Sequence, residues 1–157
     1  MSQALRSELI AALHQSKRVR LIERDRIDAV LKEHALGQSG IVDANKAMKA
    51  GKLLGAEAIV LASIDSFKAD KEQSNAAGIA VINTLIVRVK LSARMIDSQT
   101  GEILAAATAE GEGETKEHKA GPAITGKVDK AESLRLASEQ AIQELTDKIT
   151  RDVPPKV

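Results

Sequence analysis

The sequence contains no cysteine, no tryptophan and no tyrosine, and Phe67 is its single aromatic residue. The lack of thiols excludes disulfides, thiolate nucleophiles and cysteine-ligated metals. With one aromatic side chain, the core has to be built from Ala, Val, Leu and Ile, and the small residues among them let elements approach closely. No apolar run reaches the ~18 residues that a spanning helix needs. Neither sign of charge dominates: 23 basic residues stand against 22 acidic ones, for a net charge of +1. Nucleic-acid binding usually demands a basic face, so it is not expected. Attraction to anionic lipid is not expected either. Met1 leads into an amphipathic stretch, without the basic segment and apolar run of a signal peptide. Composition alone therefore reads as a soluble, cytoplasmic protein.

What is present is a chain of 157 residues, 43% of them apolar, enough for one domain with a real core. Leu5, Leu9, Ile10 and Leu13 recur at helical spacing over 3–15. Arg18 to Glu23 alternates and reads as a short strand. Asp25 is an N-cap candidate for a helix carrying Ile27, Val30 and Leu31, ending near Gly37. Asp43 would cap a further helix with Ala47, Met48, Leu53 and Leu54, and Gly55 stands at its C′ position. A strand follows over 57–67, then a polar, loop-like stretch over 68–78. A long strand is predicted over 80–97, a turn at Ser98-Gln99-Thr100-Gly101, and a strand from Glu102 to about Thr115. Residues 116–128 read as a loop. Asp129 and Glu132 resemble a capping box for a last helix carrying Leu134, Leu136, Ala137, Ala141, Ile142, Leu145 and Ile149. Pro154-Pro155 ends ordered structure, leaving 154–157 as a disordered tail. The expected fold is α/β (α+β): one domain over 1–153, with a mixed sheet of about four strands, a long antiparallel hairpin, and helices packed on it.

The hairpin allows a finer reading. Leu85, Val87, Val89, Leu91, Ala93 and Met95 share one face; Ile86, Arg88, Lys90, Ser92 and Arg94 share the other, which is wet. A three-residue loop Gln99-Thr100-Gly101, closed by Ser98 opposite Glu102, sets Lys90 against Glu110 and Arg88 against Glu112. On the buried side Met95, Ala93, Leu91 and Val89 then oppose Ala105, Ala107, Ala109 and Gly111. A slip of one residue would bury Glu110 and Glu112. The row of small residues predicts a helix lying close on the sheet, and the last helix is the candidate. Gly111 and Gly113 mark a bulge or such a close approach.

No set of residues assembles into reaction chemistry. In Glu23-Arg24-Asp25-Arg26 the carboxylates could act as acid and base, but an N-cap and solvated charges account for them. Glu110, Glu112 and Glu114 line one strand face, as a cation site would, yet Arg88 and Lys90 already answer two of them. His14, His34 and His118 have no zinc spacing. No serine sits in a nucleophile elbow. Gly51-Lys52-Leu53-Leu54-Gly55 lacks the spacing of a phosphate loop. No cofactor, no metal and no enzymatic activity are expected.

Three stretches together resemble the CsgG family. They are Ile22–Glu33 followed by Leu36-Gly37-Gln38-Ser39-Gly40, then Gly51–Val60, then Ala93–Leu104, and the likeness extends over about residues 4–150. The resemblance implies an exported lipoprotein domain, periplasmic and associated with the outer membrane in the full-length protein. The family's name-giving member forms a ring-shaped outer-membrane channel for curli subunits. A role in the secretion and assembly of surface fibres, through oligomerisation and protein–protein contacts, is what it implies here. The alternative is a periplasmic regulatory or adaptor lipoprotein domain that binds an envelope or cell-wall enzyme. The sequence departs from the family pattern in lacking the lipid-anchoring cysteine and the first strand, which would leave a sheet edge open for strand addition. Residues 68–84 are too few, and 111–128 too charged and glycine-rich, for membrane-spanning strands, so this chain by itself is expected not to insert in a membrane; the alternative is longer hairpins made by extending the core strands. The expected partners are envelope proteins, with a possible homo-oligomer. The expected contact residues are Gly37, Gln38, Ser39, Gly40 and Val42, with the 68–78 segment.

Overall fold

The helical spacing near the start is realised in α1 (Gln3–Gln15), where Leu9 and Leu13 are buried. Ser2 caps it, its Oγ accepting the Leu5 N–H at 3.3 Å. The helix stops as Ser16 donates its N–H to Ala12 O at 3.0 Å and Lys17 takes a left-handed backbone with φ 56°. The computed structural model describes residues 2–22, 24–33, 44–76, 78–151 and 153; the side chains of residues 24, 25, 30, 31, 33, 44 and 76 are not among the described ones. α2 (Arg24–Glu33) begins one residue ahead of Asp25, which therefore lies inside its first turn and not at the cap. α3 (Ala44–Leu54) packs on α2. It ends as expected at Gly55, with φ 69°. The Gly55 N–H bonds Lys52 O at 3.2 Å and the Ala56 N–H bonds Gly51 O at 2.8 Å, the paired bonds of a Schellman end.

Four strands form one sheet in the order β1-β2-β3-β4: β1 (Ala58–Ala76), β2 (Ala80–Asp97), β3 (Ile103–Ala120) and β4 (Ala123–Gly126). Each neighbour in space is the neighbour in sequence, and short turns join them, which only antiparallel pairing permits. The sheet is thus antiparallel rather than mixed. The segment expected to contribute a further strand, Arg18–Ile22, is in no strand. Its alternation says which side chains could share a face, but a strand also needs ladder pairing with a neighbour. Two expected loops are strand instead. β1 runs on to Ala76, tied to β2 by Gln73 Nε2 donating to Asn83 Oδ1 at 3.1 Å. β3 runs on to Ala120 and pairs with β4, Glu117 facing Gly126 and Ala120 facing Ala123.

The chain divides into two compact units: residues 1–63, 92–107 and 145–157, and residues 64–91 and 108–144. In the first, the turn between β2 and β3 is one residue longer than expected. Asp97 donates its N–H to Glu102 O at 2.8 Å and accepts the Gly101 N–H at 2.9 Å, with Gly101 at φ 76°. Ser98 leaves the ladder and is fully buried, its N–H on Glu57 O at 3.0 Å and its hydroxyl on Ala56 O. Gly51 lies against it: a Cβ there would stand 2.8 Å from Ser98 Cβ. The C-terminal part of α4 (Lys130–Arg151) buries Leu145, Thr146, Ile149 and Thr150 in this unit. Thr150 Oγ1 donates to Thr146 O at 2.7 Å, whereas Thr146 Oγ1 is buried with no hydrogen-bond partner among the described residues. Thr146→Val removes that unmatched hydroxyl at nearly constant volume. It should raise stability by about 1 kcal/mol in urea unfolding followed by circular dichroism.

In the second unit, Leu85, Val87, Val89, Leu91, Ala109, Ala137 and Ala141 are buried. Ile86, expected on the wet row, is buried as well; it sits on an inner strand, between β1 and β3. α4 lies on β3 at backbone contact. A Cβ on Gly111 would overlap Ala137 O and stand 2.7 Å from Ala141 N; one on Gly113 would overlap Ser133 O and stand 2.8 Å from Ala137 N. The close approach read from the glycines is thus the packing of α4.

Asp129 caps α4, its Oδ1 accepting the Ala131 and Glu132 N–H groups at 3.0 and 3.2 Å. The reciprocal half of the expected capping box is absent. Glu132 turns to Arg135, at 2.7 and 2.9 Å, and the Asp129 N–H goes to Thr115 Oγ1 at 2.9 Å. Thr115 Oγ1 is 2.9 Å from Ser133 Oγ, which donates to Leu85 O at 3.4 Å. A relay of hydroxyls thus joins the helix start to β3 and β2. Thr115→Val, near in shape, would leave the Asp129 N–H without an acceptor and should cost about 1–2 kcal/mol in the same unfolding assay.

Candidate functional site

On the sheet face away from α4 in the second unit, β2 and β3 carry the charge rungs that alternation predicted. Arg88 Nε binds Glu112 Oε2 at 2.8 Å, and Lys90 Nζ lies 3.9 Å from Glu110 Oε1. Arg88 also reaches Asp70 of β1 through Nη1 at 3.1 Å, so one guanidinium stitches three strands. Lys116 holds Glu114 at 2.8 Å and Lys119 holds Glu117 at 3.4 Å. All these groups are partly exposed, so each pair contributes about 0.2–1 kcal/mol and sets register more than stability. Each of the three glutamates once considered for a cation has its own basic partner. Among the described residues no group of three or more His, Cys, Asp or Glu side chains is placed to hold a metal ion.

The turn after β2 has electrostatics of its own, which the sequence reading missed. Asp97 accepts the Gln99 and Thr100 N–H groups at 2.8 and 2.9 Å. Those donors, Thr100 first and then Gln99, hold its carboxyl below the usual value of 3.8. An Asp with Thr-Gly three residues on, as in Asp97-Ser98-Gln99-Thr100-Gly101, was the signal for this turn. Because the folded value is depressed, the stabilisation is in full above 3.8 and disappears as pH falls through the folded value. The urea midpoint of Asp97→Asn should therefore lie below that of the wild type at pH 7, and the two should converge as pH drops below 3.8.

The residues Gly37, Gln38, Ser39, Gly40 and Val42 lie outside the described residues, as do Glu23 and His34. His14 and His118 are exposed and far apart in sequence. The other expected contact segment, 68–78, is the end of β1 and the start of its turn. There β1 is the edge of the sheet, exposed from Ser63 to Asn75, with no strand on its outer side among the described residues. Phe67 lies on it, 45% exposed, with Lys130 Nζ 5.8 Å from its ring centroid. On the opposite side of the sheet, β4 covers β3 only from Glu117 to Ala120, and further along the Glu112 N–H is taken by Gln140 Oε1 at 2.8 Å. One edge is thus partly covered by a strand and a glutamine side chain; the other, β1, presents its backbone. No helix among the described residues is long and apolar enough to cross a membrane.

The sequence pattern of the family described as "Curli production assembly/transport component CsgG" matches residues 1–154. The chain belongs to the CsgG family. A search of curated proteins finds no match for this CsgG-family chain. Among solved structures it is similar to the lipoprotein GNA1162 from Neisseria meningitidis, at 14% identity and a TM-score of 0.41, over 58% of this chain and 57% of that one. It therefore spans a little over half the length of that lipoprotein. It is also similar to a candidate lipoprotein of Caulobacter crescentus CB15, at 11% identity and a TM-score of 0.38, over 92% of this chain and 94% of that one. As a CsgG-family domain it presents a charge-stitched sheet face, a helix seated on glycine, and one open sheet edge.

Proposed function

We propose that this CsgG-family domain is a non-enzymatic docking module of the bacterial envelope. It takes part in outer-membrane secretion or assembly of surface fibres such as curli, through self-association and protein–protein contacts. Family membership supports the setting. The observation that carries the mode of action is the edge of β1, a strand of 19 residues with a backbone open to another chain. Its Lys68, Asp70, Lys71 and Glu72 oppose indiscriminate pairing with an apolar strand, so the edge is selective in what it can accept. The domain works in the periplasm, on the outer-membrane side, and makes no nucleic-acid contact and no insertion of its own.

Light scattering coupled to sizing chromatography tests the proposal. A mass of two or more times 16.7 kDa is expected. A strict monomer at every concentration would overturn self-association and leave the adaptor reading, in which the domain binds an envelope or cell-wall enzyme one to one.

A further inference from the structure

We propose that the outer edge of β1 between Phe67 and Gln73 takes an extended acidic segment of a protein partner as an added strand, an apolar side chain resting on Phe67 and carboxylates meeting Lys71 and Lys130. The inference rests on the docking reading of this edge and adds the chemistry of what docks.

Side chains alternate along a strand, so one contact fixes the faces. Gln73 bonds Asn83 across the β1–β2 pair, on the face where Leu85 and Val87 are buried, and Asp70 bonds Arg88 on the other. Phe67, Ala69, Lys71 and Gln73 therefore share the helix-side face of β1. The ammonium of Lys130, at the start of α4, over the Phe67 ring agrees. The chain's only aromatic residue thus sits not in the core but on an edge strand, nearly half exposed. A buried aromatic contributes more apolar area than any other side chain, so an aromatic on an edge is a ready anchor for a partner.

Between Phe67 and Gln73 the charged side chain on this face is Lys71, with Lys130 beside it; Lys68, Asp70 and Glu72 are on the other face. Asp70 and Glu112 are held by Arg88, Glu132 and Glu139 by Arg135. Neither Lys71 nor Lys130 forms an ion pair among the described residues. The edge thus offers three things together: backbone groups for a ladder, an apolar seat, and two ammonium groups without carboxylates. A strand that alternates apolar and acidic residues satisfies all three, its backbone giving affinity and its side chains the choice of partner.

The chain has no tryptophan or tyrosine, so Phe67→Trp places one fluorophore at the site. Titration with a blocked peptide of alternating valine and glutamate should shift its emission to the blue and saturate. An alternating valine and lysine peptide should bind at least about tenfold more weakly, and so should the acidic peptide to Phe67→Trp carrying Lys71→Glu and Lys130→Glu. Hydrogen exchange of the wild-type chain should slow over 67–73 when the acidic peptide is added. Equal response to both peptides, or protection elsewhere, overturns the proposal. If the emission shifts on concentrating the protein alone while the mass by light scattering rises, the occupant is a second copy: the acidic partner falls and the docking edge stands. If neither peptide nor concentration moves the emission, both fall. Circular dichroism of each variant confirms that it is folded.

Discussion

Gly113→Ala is expected to cost about 3 kcal/mol, and Gly111→Ala with Gly113→Ala together to abolish cooperative unfolding. The sign is worth arguing, because the usual effect runs the other way. Alanine in place of glycine stiffens the unfolded chain and stabilises by about 0.4–1 kcal/mol wherever the native backbone admits it. Neither position has a positive φ, so backbone conformation raises no objection. Space does. At Gly113 a Cβ would overlap Ser133 O and lie 2.8 Å from Ala137 N; at Gly111 it would overlap Ala137 O. These are backbone atoms of one helix, and no side-chain rotation relieves them. α4 must lift off β3, loosening the burial of Ala137, Ala141 and Ala109 and stretching the Thr115–Ser133 contact of 2.9 Å. A domain of this size has about 5–15 kcal/mol in hand, so two such displacements approach all of it. Gly121→Ala is the control: its φ is 57° but nothing lies within 4 Å, so only the left-handed backbone is penalised, by about 1–2 kcal/mol. Urea denaturation followed by circular dichroism reads all three. A Gly113→Ala protein as stable as the wild type would mean that α4 does not rest on β3 as described.

The parts of the fold that could be read from residues are those where one face is buried and the other wet. β2 was expected over 80–97 and lies at Ala80–Asp97. The Arg88–Glu112 and Lys90–Glu110 rungs were foreseen because only one register keeps both glutamates out of the core. The cap at Asp129 and the glycine stop at Gly55 follow from local backbone chemistry that needs no partner. Where water lies on both sides of a strand, alternation vanishes and strand resembles loop. That is why the end of β1, the end of β3 and β4 were read as irregular: their exposed side chains carry no period of two. Arg18–Ile22 fails in the opposite way, having alternation but no strand. The docking edge was half legible. The segment 68–78 was among the expected contact segments. The exposure of Phe67 did not follow, since phenylalanine is by default a core residue and only its place on the outermost strand puts it in water.

Leu145→Ala tests the other compact unit and should cost about 3 kcal/mol, within the 2–5 kcal/mol typical of emptying a leucine site. Leu145 is 1% exposed on the last turns of α4. Its neighbours along that helix, Ala141, Ile142 and Ile149, are buried too, so a contiguous apolar stripe is broken, not an isolated contact. With one aromatic residue in the whole chain, few large side chains are available to swing into the void. The loss should therefore lie nearer the middle of the range than its lower end. Leu53→Ala, at a leucine 52% exposed, should change stability by less than about 0.5 kcal/mol. The stretch from Phe67 to Gln73 belongs to the other unit. Leu145→Ala assayed well below its unfolding midpoint should accordingly keep wild-type affinity for the acidic peptide. Lower affinity at unchanged helix content would mean that the edge from Phe67 to Gln73 depends on the packing around Leu145.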